Sequence, residues 1–131
     1  MHGLRILLVE DDPTTALVIS DLLAAHGYQT VLARNGKEAL DEYQAKRPDL
    51  AIVDVQLPLK SGFEVCHAIK TESVGRPCPV VLMSAVYTDQ RRAVPYALEG
   101  LHADAYLVKP FSLEVLLANV KHLLPRRSMV H

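Results

Sequence analysis

The chain has no apolar stretch long enough to cross a bilayer and no charged-then-apolar leader pattern at its start. It also lacks an excess of either charge. The formal net charge is -1, which leaves no basic field to attract nucleic acid or anionic lipid. Cysteine is scarce: Cys66 and Cys78 are too far apart for a CxxC redox motif and too few for a disulfide framework. Both read as buried or half-buried thiols. The histidines His2, His26, His67, His102, His122 and His131 show no metal-ligand spacing and read as surface or helix-end residues. No internal repeat or low-complexity stretch is present. These absences argue against a membrane span, a secreted disulfide scaffold and a thiol or imidazole metal site, and the expected compartment is the cytoplasm.

What is present is a regular alternation. With 131 residues, half of them apolar, the chain can form one domain with a buried core. Ile6-Leu7-Leu8-Val9 is an unbroken apolar run that stops at acids. Pro13 to His26 carries Ala16, Ile19, Leu22 and Leu23 at helical spacing and ends at Gly27. Thr30 to Ala33 reads as a second, weaker strand. Asn35 can cap a helix that must stop near Pro48. Leu50-Ala51-Ile52-Val53 is a third strand ending at Asp54, and Gly62 to Glu72 reads as a helix. A loop with Gly75, Pro77 and Pro79 leads to a fourth strand, Val80 to Met83, ending at Ser84. Asp89 to Glu99 has helical spacing, with Pro95 expected to kink it or mark its true first turn. Ala105 to Val108 is the fifth strand, ending at Lys109, and Ser112 to Leu124 the last helix. The tail from Pro125 to His131 is too short for another domain.

Apolar strands alternating with helices predict a parallel sheet covered on both faces, an α/β doubly wound architecture. Such sheets bind ligands at the carboxyl ends of their strands. The residues there are Glu10-Asp11-Asp12, Asp54, Ser84 and Lys109. Asp12, just before Pro13, reads as a helix cap rather than a ligand. Glu10 and Asp11 have no such local duty. Beside Asp54 they are either solvated carboxylates or a like-charge cluster that a hard cation such as Mg2+ relieves. Asp54 is either a strand-ending acid or, beside a metal, a nucleophile toward phosphorus. Ser84 is a polar strand end or a donor to a phosphoryl oxygen, with small Ala85 leaving the approach open. Lys109, held extended by Pro110, faces solvent or neutralises carboxylate and phosphoryl charge. Tyr106 faces away from Lys109, as half-buried core or as a switch. None of these residues is diagnostic singly; together, in this order on this alternation, they are.

Together, Leu7-Leu8-Val9-Glu10-Asp11-Asp12, Asp54-Val55-Gln56-Leu57-Pro58 with Ser61-Gly62, Ser84-Ala85 and Tyr106-Leu107-Val108-Lys109-Pro110-Phe111 closely resemble the receiver domains of two-component response regulators. The resemblance covers residues 4–124. It implies a flavodoxin-like five-stranded parallel sheet of order 2-1-3-4-5 with five helices. Residues 1–124 would be the receiver domain, and 125–131 a short tail or the start of a linker. It implies that Asp54 accepts a phosphoryl group from a histidine kinase or a phosphotransfer protein. Asp11 and Asp54 would bind Mg2+ (or Mn2+) directly with the backbone carbonyl of Gln56, and Glu10 would act through water. Ser84 and Lys109 would hold the phosphoryl group, Lys109-Pro110 would be cis, and Tyr106 would be the switch aromatic. The chain would catalyse only its own phosphotransfer and dephosphorylation, and would signal to a partner or effector domain through the fourth helix, fifth strand and fifth helix. Direct contact with nucleic acid or membrane is not expected.

The sequence departs from the family pattern in places. Ser84 to Lys109 is a few residues longer than in typical members, with the excess at Val86-Tyr87-Thr88 and around Gly100-Leu101-His102. Leu59-Lys60 replaces a small or glycine-containing turn. Asn119 stands where transcription-factor receivers often carry an arginine used in dimer contacts, which weakens the case for their activated homodimer. Val115 and Leu123 lie off the main apolar stripe of the last helix, as a partner strip or as half-exposed packing. Two enzymes of similar fold fit less well. A haloacid-type phosphatase wants a second acid where Gln56 stands, and a flavodoxin wants a hydroxyl-rich loop where Glu10, Asp11 and Asp12 stand.

Overall fold

The computed structural model describes residues 3–72, 78–85 and 90–124. The expectations for His2, the loop with Gly75 and Pro77, Val86-Tyr87-Thr88, the helix start at Asp89 and the tail from Pro125 to His131 lie outside those residues. The strands are β1 Arg5–Val9, β2 Gln29–Ala33, β3 Leu50–Asp54, β4 Val80–Ser84 and β5 Ala105–Val108. The helices are α1 Pro13–Ala25, α2 Gly36–Lys46, α3 Gly62–Glu72, α4 Gln90–Pro95 and α5 Leu113–Leu123. All strand pairs are parallel, as the sequence pattern predicts, in the order β2-β1-β3-β4-β5 that the resemblance implies.

Side chains along the central strands alternate between two cores, as a parallel sheet covered on both faces requires. Leu7, Val9, Ala51, Val53, Val80 and Leu82 pack with Ala39, Tyr43, Val65, Ile69 and Ala97, so α2, α3 and the segment after α4 cover that face. Ile6, Leu8, Leu50, Ile52, Val81 and Met83 pack with Ile19, Leu23, Leu116 and Val120 of α1 and α5. Each large aliphatic residue buried here contributes about 1.5–3 kcal/mol of transfer free energy. Two alternating cores fix strand register, because a one-residue slip would exchange every side chain between faces. Cys66 and Cys78 are buried, free thiols, and burial pushes Cys66 up to about 11.

The caps follow the sequence closely. Asp12 accepts from the Thr15 N–H at 2.9 Å, Asn35 from Glu38 N–H at 2.9 Å and Ser112 from Val115 N–H at 3.1 Å. Helix α1 ends one residue earlier than predicted, at Ala25, with Gly27 at φ 86. Helix α2 stops at Lys46 ahead of Pro48. The segment around Pro95 differs from a simple kink. Pro95 closes α4, and the chain continues as a π-helical turn, Tyr96–Gly100. A ring without an N–H removes one regular helical bond at this point, and the wider turn follows directly. The edge of Tyr96 meets the Phe63 ring at 5.2 Å between centroids. In α5, Val115 is exposed while Leu123 packs against the second core, so only Val115 stands clear of the packed stripe.

The loop after β3 contains the clearest backbone tension. Leu59 sits at φ 70, in the left-handed region, and 76% of its surface is exposed. A leucine there costs about 1–2 kcal/mol relative to a residue without a Cβ, and its side chain packs against little in return. Leu59→Gly is therefore expected to stabilise the protein by about 1 kcal/mol after the glycine's extra unfolded-state entropy is subtracted. A raised urea midpoint would agree, and an unchanged or lowered one would not.

Candidate functional site

Strand register assembles the site. Val9 pairs with Val53, Asp54 with Met83 and Ser84 with Val108, so the strands end almost level. Backbone bonds hold the ends: Glu10 N–H donates to Ala33 O at 3.0 Å, Val55 N–H to Met83 O at 2.8 Å and Lys109 N–H to Ser84 O at 2.7 Å. Gly62 closes the β3–α3 loop against this end. A Cβ at that position would collide with the Asp54 carbonyl oxygen and the Val55 Cα.

The side chains converge on one ammonium. Lys109 Nζ donates to Glu10 Oε1 at 2.9 Å and to Asp54 Oδ2 at 2.8 Å. Glu10 and Asp54 are 1% and 4% exposed, whereas Asp11 lies at the surface. Burial raises Glu10 to about 7; the bond from Lys109 opposes this, and the Asp54 charge adds to it. Burial also works against the Lys109 ammonium, but its bonds to Asp54 and Glu10 outweigh that and hold its pKa above the ordinary value. Glu10, Asp11 and Asp54 each place a carboxylate oxygen within 4.8 Å of the others, a set of hard oxygen donors. Asp12 stands apart from that trio. Its carboxylate is committed to Thr15, whose hydroxyl and N–H hold it below its usual pKa.

Ser84 is buried at the end of β4, beside this group. The Lys109-Pro110 bond is cis, as the resemblance implies. Tyr106 packs against the first core, and its hydroxyl is buried with no hydrogen-bond partner among the described residues. The structure thus brings Glu10, Asp11, Asp54, Ser84 and Lys109 to one sheet end and leaves Tyr106 behind it. Sequence reasoning missed the side chain of Gln56, which it treated only as a backbone carbonyl. That amide donates from Nε2 to Ser84 Oγ at 3.4 Å and accepts at Oε1 from Ala85 N–H at 3.1 Å. The available signal was a long amide two residues past a strand-ending acid.

Removing the cation from this group has a definite expected cost. Lys109→Met leaves Glu10 and Asp54 facing each other uncompensated. The loss should be about 2 kcal/mol near pH 8, discounted from a fully buried pair because the lysine side chain is 29% exposed. The pKa of Lys109 is raised, so its contribution is present at neutral pH and fades only as pH rises beyond 10.5. Glu10, at about 7, carries a proton near pH 5.5, and the cost of losing Lys109 should shrink there. Urea unfolding of both proteins at the two pH values measures this; equal losses would contradict it.

Comparison with known proteins identifies the family and the fold. A family model described as the response regulator receiver domain matches residues 6–121. The response regulator MprA of Mycolicibacterium vanbaalenii is 40% identical over 124 residues, covering 93% of this chain and 51% of that protein. The chain thus spans about half the length of the curated relatives it matches. The signal receiver domain of a signal transduction histidine kinase from Syntrophus aciditrophicus superposes with TM-score 0.84 at 37% identity, covering 98% of this chain and 96% of that one. The chemotaxis response regulator CheY4 of Vibrio cholerae superposes with TM-score 0.81 at 30% identity, covering 93% and 99%. With nearly all of its described fold inside the matched region, the chain belongs to the response regulator receiver domain family of two-component signalling.

Proposed function

We propose that Asp54 is the phosphoacceptor and that the chain takes its phosphoryl group from a phosphohistidine on a histidine kinase or phosphotransfer protein. The observation that supports this most strongly is the single ammonium of Lys109 shared between Asp54 and Glu10 at the carboxyl end of the sheet. An Asp54 oxygen forms the new bond to phosphorus as the P–N bond of the donor breaks. The electron pair stays on the imidazole nitrogen, which leaves neutral because the other ring nitrogen carries the proton. Lys109 is positioned to follow the charge from carboxylate to phosphoryl oxygen, and Ser84 to donate its hydroxyl to a second phosphoryl oxygen.

The oxygen trio fits Mg2+ (or Mn2+), with Asp11, Asp54 and the Gln56 backbone carbonyl as direct ligands and Glu10 acting through water. When bound, the ion supplies positive charge that offsets what builds on the phosphoryl oxygens. Glu10 and Lys109 set the charge balance around it. The chain catalyses only the transfer of that phosphoryl group to itself and its own dephosphorylation.

Signalling follows from the same residues. A phosphoryl group on Asp54 draws Ser84 toward itself, and Tyr106 turns into the space that is vacated. Its orphaned hydroxyl supports this reading: a buried unpaired hydroxyl costs about 1–3 kcal/mol, which narrows the gap to a second position. The readout face is α4, β5 and α5, where Val115 of α5 stands exposed, with exposed Leu98 in the π-helical turn that follows α4, to meet a partner or effector domain.

Two measurements test this reading. Incubation with acetyl phosphate and Mg2+ should add one phosphoryl group to the wild type and none to Asp54→Asn by intact mass. No adduct on the wild type, or equal adducts on both, would contradict it. Mg2+ should also raise the thermal midpoint near pH 8, and by less near pH 6, where Glu10, at about 7, has taken a proton and weakened the pull on the cation. An equal shift at both pH values, or a full shift in Asp11→Asn, would count against the assigned ligands.

A further inference from the structure

One donor that a phosphoryl group on Asp54 needs, the Ala85 N–H, is already engaged. Ser84 Oγ lies 3.4 Å from Gln56 Nε2, and the Ala85 N–H donates to Gln56 Oε1 at 3.1 Å. The backbone N–H of Gln56 donates to Asp54 Oδ1 at 2.9 Å, so the same residue is anchored on the carboxylate itself. Across the Ala85 peptide, Gln90 Nε2 donates to the Ala85 carbonyl at 3.1 Å. Ala85 is therefore held at both of its backbone groups, its N–H by Gln56 and its carbonyl by Gln90.

A backbone N–H carries a single proton. Given to the amide oxygen of Gln56, the Ala85 N–H is unavailable to a phosphoryl oxygen, and Gln56 Oε1 stands where that oxygen would accept. We propose that the Gln56 side chain is a latch on the phosphoryl pocket, a positioning residue that competes with the incoming group for the Ala85 N–H and so sets the rate of uptake at Asp54. The proposal rests on the reading of Asp54 as phosphoacceptor. The latch is neutral, and Gln56 is only half-buried, so its amide can swing into water and keep its hydrogen bonds. A phosphoryl group brings negative charge to the same N–H and makes the stronger bond, so it displaces the amide once it arrives.

Two substitutions separate the latch from simple packing. Gln56→Met keeps the side-chain length and removes both polar atoms; Gln56→Asn keeps the amide but is one methylene too short to reach Ala85. Net hydrogen-bond contributions of ordinary size predict that both variants bind beryllofluoride, a phosphoryl mimic, about tenfold more tightly than the wild type. Both should also take phosphoryl from acetyl phosphate faster by a similar factor. In the unliganded protein, the Ala85 amide should exchange with solvent faster in both variants, which a packing defect elsewhere would not produce selectively. Unchanged affinity and rate in variants with native thermal midpoints, against a wild type that does bind beryllofluoride, would overturn the latch and leave the phosphoacceptor reading standing. If neither wild type nor variants take beryllofluoride or phosphoryl, both proposals fall. If only the variants do, the latch is upheld in its strongest form.

Discussion

Lys109 Nζ sits 2.9 Å from Glu10 and 2.8 Å from Asp54, and the arrangement of the site depends on those two contacts. Two carboxylates buried side by side repel each other and lose hydration, which is why burial raises Glu10 to about 7. One ammonium cannot fully compensate two acids, and Asp11 adds a third nearby. The sheet end therefore holds an unbalanced negative group with a single fixed cation. An arrangement of that kind is costly for stability, attracts added positive charge and, on the proposed reading, keeps Asp54 in place for transfer.

The fold makes this crowding unavoidable. Parallel strands all point their carboxyl ends the same way, and the pairing of Val9 with Val53 and Ser84 with Val108 aligns those ends within a residue. Two alternating cores lock the register, so Glu10, Asp54, Ser84 and Lys109 cannot be shifted apart without exposing Leu8 or Val53. Gly62 lets α3 approach the Asp54 carbonyl directly, which holds the acid from below. Capping removes Asp12 from the group by giving it to Thr15. Stability lies in the two cores, and the site takes its tension from them.

Much of this was legible in the chain. Ile6–Val9, Leu50–Val53 and Val80–Met83 have no polar residue to interrupt them, and only a sheet buried on both faces accepts such runs. Asp12 and Asn35 precede helices as short acceptors and cap as expected, while Ser112, read as the first residue of the last helix, is its cap. Four strand ends sufficed to bring the acids, hydroxyl and ammonium together. Three features were not legible. Leu59 as a residue type gives no sign of a left-handed backbone; the one hint is that it replaces a small or glycine-containing turn, and the loop imposes that conformation on a residue type that resists it. Pro95 announced a disturbance, but its form, a passage into a π-helical turn, depends on how Tyr96 and Phe63 pack. Gln56 has a long side chain with many rotamers, and the bond to Ala85 exists only because β4 ends beside it.

The central claim is that, among these crowded acids, Asp54 is the one that bonds to phosphorus. It is tested most directly by phosphorylating the protein with acetyl phosphate and Mg2+, reducing the acyl phosphate with borohydride and mapping the reduced residue by peptide mass spectrometry. The account predicts a reduced carboxyl at position 54 alone. A reduced residue at Glu10, Asp11 or Asp12 with Asp54 intact would contradict it.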